Sequence, residues 1–255
     1  MSGPDFFILG AMKSGTTTLF DIIGQHPQVC SPVTKELHYY NNKRYGDWNL
    51  DKYRSMFPEK PPGCISGEAT PFYLRHQHAP KWVFQDFPNA KLLAILRNPT
   101  DRAYSHYQQR FAKGKETEPL LDLVQREDAD MADEWQAFKN SEAHRFNAGK
   151  SGPTFLSRGR YAEQIQNWTT CFPPDRLHVL LTEDLITAPE QAIAKVFDHL
   201  GLPPANVECA THSHKGQYTE MPQETRAWLD AYFAPYNATL AKVLGRRLPW
   251  NTTAQ

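Results

Sequence analysis

Four apolar residues, Phe6-Phe7-Ile8-Leu9, run straight into Gly10-Ala11-Met12-Lys13-Ser14-Gly15, and Thr16 to Ile23 then resumes apolar spacing at a helical period. That order predicts a buried strand, a tight loop and a helix. At such a junction the unpaired N–H groups of the first helical turn converge and the helix dipole adds partial positive charge, so the loop is built to receive an anion. Lys13 adds a full charge, and Ser14, Thr16, Thr17 and Thr18 add hydroxyl donors around Gly15. The loop departs from the ATP-binding pattern, in which Gly-Lys-Ser/Thr closes a run of four residues after a first Gly, because Lys13 precedes the Ser14-Gly15 pair.

The chain has 255 residues, suited to one large α/β domain or two small ones, of which one is expected, and its 28 Lys plus Arg equal its 28 Asp plus Glu. With no global field to gather a polyanion, nucleic acid is not an expected partner, and basic character must be local. No apolar run approaches the ~20 residues of a spanning helix and no basic leader precedes a signal core, so a soluble, cytoplasmic protein is expected. Cys30, Cys64, Cys171 and Cys209 are scattered without metal-ligand or disulfide spacing and read as free thiols. His76 and His78 lack a helical i,i+4 relation and a carboxylate companion, so no metal is expected.

Past the first helix, Val29 to Val33 suggests an extended segment leading to Lys35-Glu36-Leu37-His38-Tyr39-Tyr40. If extended, Glu36 and His38 share a face, as two proton-transfer groups beside the anion loop. Cys64 to Pro71 reads as a short strand entering a loop, and Tyr73, His76, His78 and Trp82 follow at the same sheet end, where they line an acceptor pocket or wedge the core. Leu92 to Leu96 is a second buried strand, broken by Pro99, with Thr100 or Asp101 as helix cap. Arg97 therefore stands at the strand exit and Ser105 folds back over it, a pairing suited to a monophosphate; the competing partner for Arg97 is Asp101. Trp135, Phe138 and Phe146 are spaced to bury a helical stripe. Tyr161, Ile165, Trp168 and Phe172 share a later helix face. Leu177 to Leu181 is a further strand, Pro189 to Leu200 a helix stopped by Gly201, and two helical segments surround Trp228 and Leu240.

The string Arg97-Asn98-Pro99-Thr100-Asp101-Arg102-Ala103-Tyr104-Ser105-His106-Tyr107 resembles the 3′-phosphate motif of sulfotransferases that use 3′-phosphoadenosine 5′-phosphosulfate (PAPS), and the Lys13 loop is similar to their 5′-phosphosulfate loop. The resemblance runs from Phe6 to about Trp250, and the stretch around Glu36 is more similar to the heparan sulfate type and its bacterial relatives than to the cytosolic phenol and steroid type. It implies a single domain over 1–255, a central mostly parallel sheet flanked by helices in the P-loop nucleotide-kinase-like sulfotransferase fold, PAPS as donor and 3′,5′-adenosine bisphosphate (PAP) as product. Within it, Glu36 takes the acceptor proton, with His38 as second candidate, and Lys13 stabilises the leaving phosphate. Ser14 to Thr18 hold the phosphosulfate and Arg97 with Ser105 the 3′-phosphate; Arg158 and Tyr161 flank the nucleotide, and Lys215 with Gly216 closes over it. His38, Tyr39, Tyr40, Tyr73, His76 and Trp82 are the expected acceptor contacts. Ala69 stands where the heparan sulfate enzymes commonly carry a Lys. With zero net charge, that points to a small-molecule, glycolipid or natural-product acceptor over a sulfated polysaccharide. A P-loop small-molecule kinase and a non-catalytic nucleotide-binding module are the rival classes.

Overall fold

The structure, a computed structural model, describes residues 3–32, 34–41, 49–140, 154–209 and 219–250. In chain order the elements are β1 (Phe6–Gly10), α1 (Thr16–Gly24), β2 (Val29–Cys30), α2 (Leu50–Arg54), β3 (Ile65–Ala69), α3 (Ala79–Asp86), β4 (Lys91–Leu96) and α4 (Pro99–Ala112). There follow α5 (Leu120–Asn140), α6 (Tyr161–Thr169), β5 (Leu177–Leu181), α7 (Thr182–Thr187), α8 (Pro189–Leu200) and α9 (Gln223–Leu244). The five strands form one parallel sheet in the order β2-β3-β1-β4-β5.

Period-2 alternation in β1 explains the two-sided sheet. Phe7 and Leu9 face a core shared with Leu92, Ala94, Leu96 and the α6 residues Tyr161, Ile165 and Trp168. Phe6 and Ile8 face the opposite core, with Leu19, Ile22 and Ile23 of α1 and Ile193, Val196 and Phe197 of α8. Phe6 lies over Gly67 of β3, where an added Cβ would stand 2.1 Å from its ring, so only glycine fits that strand position. A third core joins α4, α5 and α9 through Leu123, Val124, Leu229 and Phe233.

The chain leaves β1 toward β2 and β3 and returns on its other side as β4. Crevices for ligands open at such a reversal, beyond the carboxyl ends of the strands. Three local expectations change. Asn98, not Thr100 or Asp101, caps α4, its side chain accepting from the Thr100 N–H at 2.9 Å. The two C-terminal helical segments are one helix, α9, continuous through Pro235. Strand β2 is confined to Val29–Cys30; Val33, Phe146 and the side chains of Trp135 and Phe138 lie outside the described residues.

Candidate active site

The Lys13 loop and the Arg97 exit are stitched together. The Ala11 N–H donates to the Ile95 carbonyl at 2.7 Å, next to the pairing of Gly10 with Ala94. The Thr182 hydroxyl at the start of α7 reaches the carbonyls of Ser14, 2.6 Å, and Leu96, 3.0 Å. The Tyr161 hydroxyl donates to the Arg97 carbonyl at 3.0 Å and lies beside Ser14. Burial holds the Tyr161 phenol protonated, its pKa pushed up to about 12, so it serves as a donor at neutral pH. The Lys13 loop and the Arg97 exit thus meet at one sheet edge.

No side chain caps the start of α1. Gly15, at φ 94°, caps α1 with no side chain over the first helical turn, a left-handed conformation that favours glycine. Ser14 is fully buried, yet its Oγ has no hydrogen-bond partner among the described residues. Asp101, the competing partner for Arg97, instead pairs with Arg226 at 2.9 Å. Ser105 is buried on α4. Around it the field is locally positive: burial, then Arg158, Arg102, Arg110 and Lys13, push His106 well below its ordinary value. Arg158 rests over the Phe72 ring at 4.9 Å and donates to Thr154 at 2.9 Å. The segment entering Arg158 is anchored by buried Glu127, whose carboxylate accepts the N–H groups of Phe155, Leu156 and Ser157 at 2.6, 2.8 and 3.1 Å.

The Glu36 loop reaches this edge through Lys35, a residue not singled out from sequence although it adjoins Glu36. Its ammonium donates to the Thr17 hydroxyl at 2.5 Å and sits 3.4 Å from Glu36. Glu36 Oε2 stands 3.5 Å from His38 Nε2, while His38 Nδ1 meets Asn41 Oδ1 at 3.1 Å. The bond with His38, then the charge of Lys35, holds the Glu36 carboxyl below the ordinary glutamate range; the same bond raises His38. The pair is not set by an extended strand: Glu36 and His38 sit at φ 58° and 56°, and Lys13 at 70°. These three are the non-glycine residues in the left-handed region among the described residues. Each such placement costs on the order of 1–3 kcal/mol, and strain of this kind gathers at functional sites.

The expected acceptor contacts divide. Tyr40 and Tyr73 are interior residues whose hydroxyls donate to Asp86 at 3.0 Å and Glu68 at 2.9 Å, and Tyr39 stacks on Tyr53 at 4.4 Å. His76 is buried too, its Nδ1 accepting the Ala79 N–H at 3.1 Å where α3 begins. Aromatic mass at a sheet end packs inward when a helix such as α2 covers it, so these four build the wall beneath the loop instead of a pocket surface. Trp82 packs against the rings of His76 and His78 at 5.4 and 5.6 Å. Lys215 and Gly216 lie outside the described residues. No group of three or more metal-ligating side chains stands together among the described residues.

Residues 3–231 match the sulfotransferase domain family. The chain belongs to that family. A solved sulfotransferase from Alicyclobacillus acidocaldarius superposes with a TM-score of 0.80 at 26% identity, over 98% of this chain and 99% of that one. A mouse sulfotransferase complexed with PAP shares the fold at 0.50 and 16%, over 80% and 60%. Among curated relatives, a membrane-associated sulfotransferase of Dictyostelium discoideum is 26% identical over 97% of this chain and 66% of its own length. A human bifunctional heparan sulfate N-deacetylase/N-sulfotransferase is 29% identical over 96% of this chain and 31% of its own. This sulfotransferase chain therefore spans only part of those relatives. None of its described helices is long and apolar enough to cross a membrane.

Proposed function

We propose that this sulfotransferase moves the sulfuryl group of PAPS to a hydroxyl or amine of a small-molecule, glycolipid or other glycan acceptor. The observation that carries the reading is the meeting of Lys13, Glu36 and His38, all in the left-handed region, at one sheet edge where Lys35 ties the Glu36 loop to Thr17. The residues fit the donor: an uncapped helix start, an unpartnered buried Ser14 hydroxyl, and Arg97 with buried Ser105 at the adjoining strand exit. A mouse relative of the same fold is complexed with PAP.

Ser14 to Thr18 orient the 5′ group, Arg97 and Ser105 grip the 3′-phosphate, and Arg158 and Tyr161 border the nucleotide. Glu36 accepts the proton of the attacking hydroxyl as the new S–O bond forms and the bond from sulfur to the bridging oxygen breaks. Lys13 stabilises the charge that grows on that oxygen. Positioning and fixed charge supply most of the acceleration, as in phosphoryl transfer. Residues 1–255 act as one domain, and Ala69 favours an acceptor without dense negative charge.

A thermal-shift series tests the donor site. PAP without Mg²⁺ raises the melting temperature and ATP alone does not; the reverse result supports a kinase. Glu36→Gln keeps the PAP shift and loses turnover of sulfur-35-labelled PAPS with a metabolite extract as acceptor pool. Full activity in that variant refutes Glu36 as base.

A further inference from the structure

Directly beneath the Glu36 loop lies a carboxylate that no reactant needs to touch. Glu68, next to last in β3, is 0% exposed, and three hydroxyls converge on it. Its Oε1 accepts from Thr70 at 2.5 Å and from Tyr73 at 2.9 Å, and its Oε2 accepts from Tyr53. Two of these hydroxyls have a second duty. Thr70 Oγ1 accepts the His38 N–H at 3.3 Å, and Tyr73 Oη accepts the Tyr40 N–H at 3.3 Å.

A hydroxyl has one proton and two lone pairs. Thr70 and Tyr73 can keep a lone pair aimed at the loop only while their protons point elsewhere, and Glu68 Oε1 is where both protons go. Without it each hydroxyl is free to rotate, and its proton then faces the N–H it now holds. From this geometry we infer that Glu68 is the positioning residue for the Glu36–His38 pair: by fixing the Thr70 and Tyr73 hydroxyl rotors it pins the backbone at His38 and Tyr40 and so holds the left-handed His38 and the chain that leaves it. The reading rests on the proposed role of that loop only for its catalytic consequence; the structural consequence stands by itself.

The surroundings agree. Burial raises the Glu68 pKa, and the hydroxyls of Thr70, Tyr53 and Tyr73, then the His38 charge, pull it back. The charged groups facing His38 are Glu36 and Glu68, with Asn41 as its neutral partner; those facing Glu36 are His38 and Lys35. A left-handed non-glycine residue needs external bonds to persist, and the N–H contacts at His38 and two residues on, at Tyr40, supply them on the His38 side of the pair.

The test uses the full chain and two readouts. The first is the His38 imidazole titration by NMR with labelled histidine, its resonance identified by loss in His38→Gln. The second is hydrolysis of PAPS with water as the acceptor, followed as kcat and KM. Glu68→Gln and Glu68→Leu both remove the charge, but only glutamine keeps an oxygen that accepts the two hydroxyl protons. The expected result is a His38 pKa nearer its ordinary value in Glu68→Leu than in Glu68→Gln. With it comes a fall in kcat of about tenfold or more in the leucine variant, substantially rescued in the glutamine variant, and a KM for PAPS within about twofold of the parent. Thr70→Val, nearly isosteric, reproduces the leucine phenotype and keeps the test alive if Glu68→Leu does not fold. Equal titration and equal kcat in Glu68→Leu, Glu68→Gln and Thr70→Val overturn the inference. A parent protein that shows the His38 effect but no PAPS turnover refutes the sulfuryl-transfer reading and leaves the positioning intact.

Discussion

Glu127→Ala tests how the segment entering Arg158 is held. The carboxylate is 3% exposed and takes three backbone N–H groups, two on Oε2 and one on Oε1, at the segment that leads into Arg158 and Tyr161. It also places a negative charge near Arg75, Arg102 and Arg158. Removing it strands buried donors at roughly 1–3 kcal/mol each and leaves the arginines without that charge; because these losses share one site they do not add in full, and about 3–5 kcal/mol is expected. At about 2–4 °C per kcal/mol for a chain of this size, the melting temperature falls by roughly 6–20 °C. Glu127→Gln separates the parts. Its carbonyl oxygen can still serve Phe155 and Leu156, while its NH₂ faces the Ser157 N–H, so about a third to a half of the loss is expected. Differential scanning calorimetry of the three proteins is the assay. An alanine variant melting within about 2 °C of the parent, or a glutamine variant as unstable as alanine, refutes the reasoning.

Arg97→Ala should weaken PAP binding by roughly 10- to 100-fold in titration calorimetry, the range of one lost charge-assisted contact, with the fold unchanged. The acid limb of PAPS turnover should lie below the ordinary glutamate value, because Glu36 stays ionised until pH falls through its depressed pKa; His38→Gln removes the main cause and moves that limb to higher pH, and an unmoved limb argues against Glu36 as the titrating base. Gly67→Ala drives a methyl to 2.1 Å from the Phe6 ring and should cost about 1–3 kcal/mol by chemical denaturation, partly recovered by Phe6→Leu.

The two strand exits were legible because each combines an apolar run with a breaker, a local pattern that needs no knowledge of the partner strand: Phe6–Gly10 and Lys91–Leu96 fall where the residues place them. The stripe of Tyr161, Ile165 and Trp168 on α6 was legible for the same reason; Phe172 lies just past the end of that helix instead of on it, and all four are buried. What sequence did not carry was direction and partnership. Tyr40, Tyr73 and His76 have the composition of a ligand pocket or of a core, and only the cover supplied by α2 and α3 decides between them. Glu68 was invisible as a hub because Tyr53 reaches it from α2, and no sequence pattern shows that Thr70 and Tyr73, in the turn just after β3, fold their hydroxyls back onto it. Lys35 was overlooked since its contact with Thr17 spans the gap between α1 and the following loop.

That contact has a kinetic consequence. One ammonium is divided between a hydroxyl on the first turn of α1 and the carboxylate of Glu36. An anion arriving at that turn draws the ammonium toward itself and relaxes its hold on the carboxylate, whose affinity for a proton then rises. On the proposed reading of Glu36 as base, that side chain would favour an order in which the donor docks before the base reaches full strength.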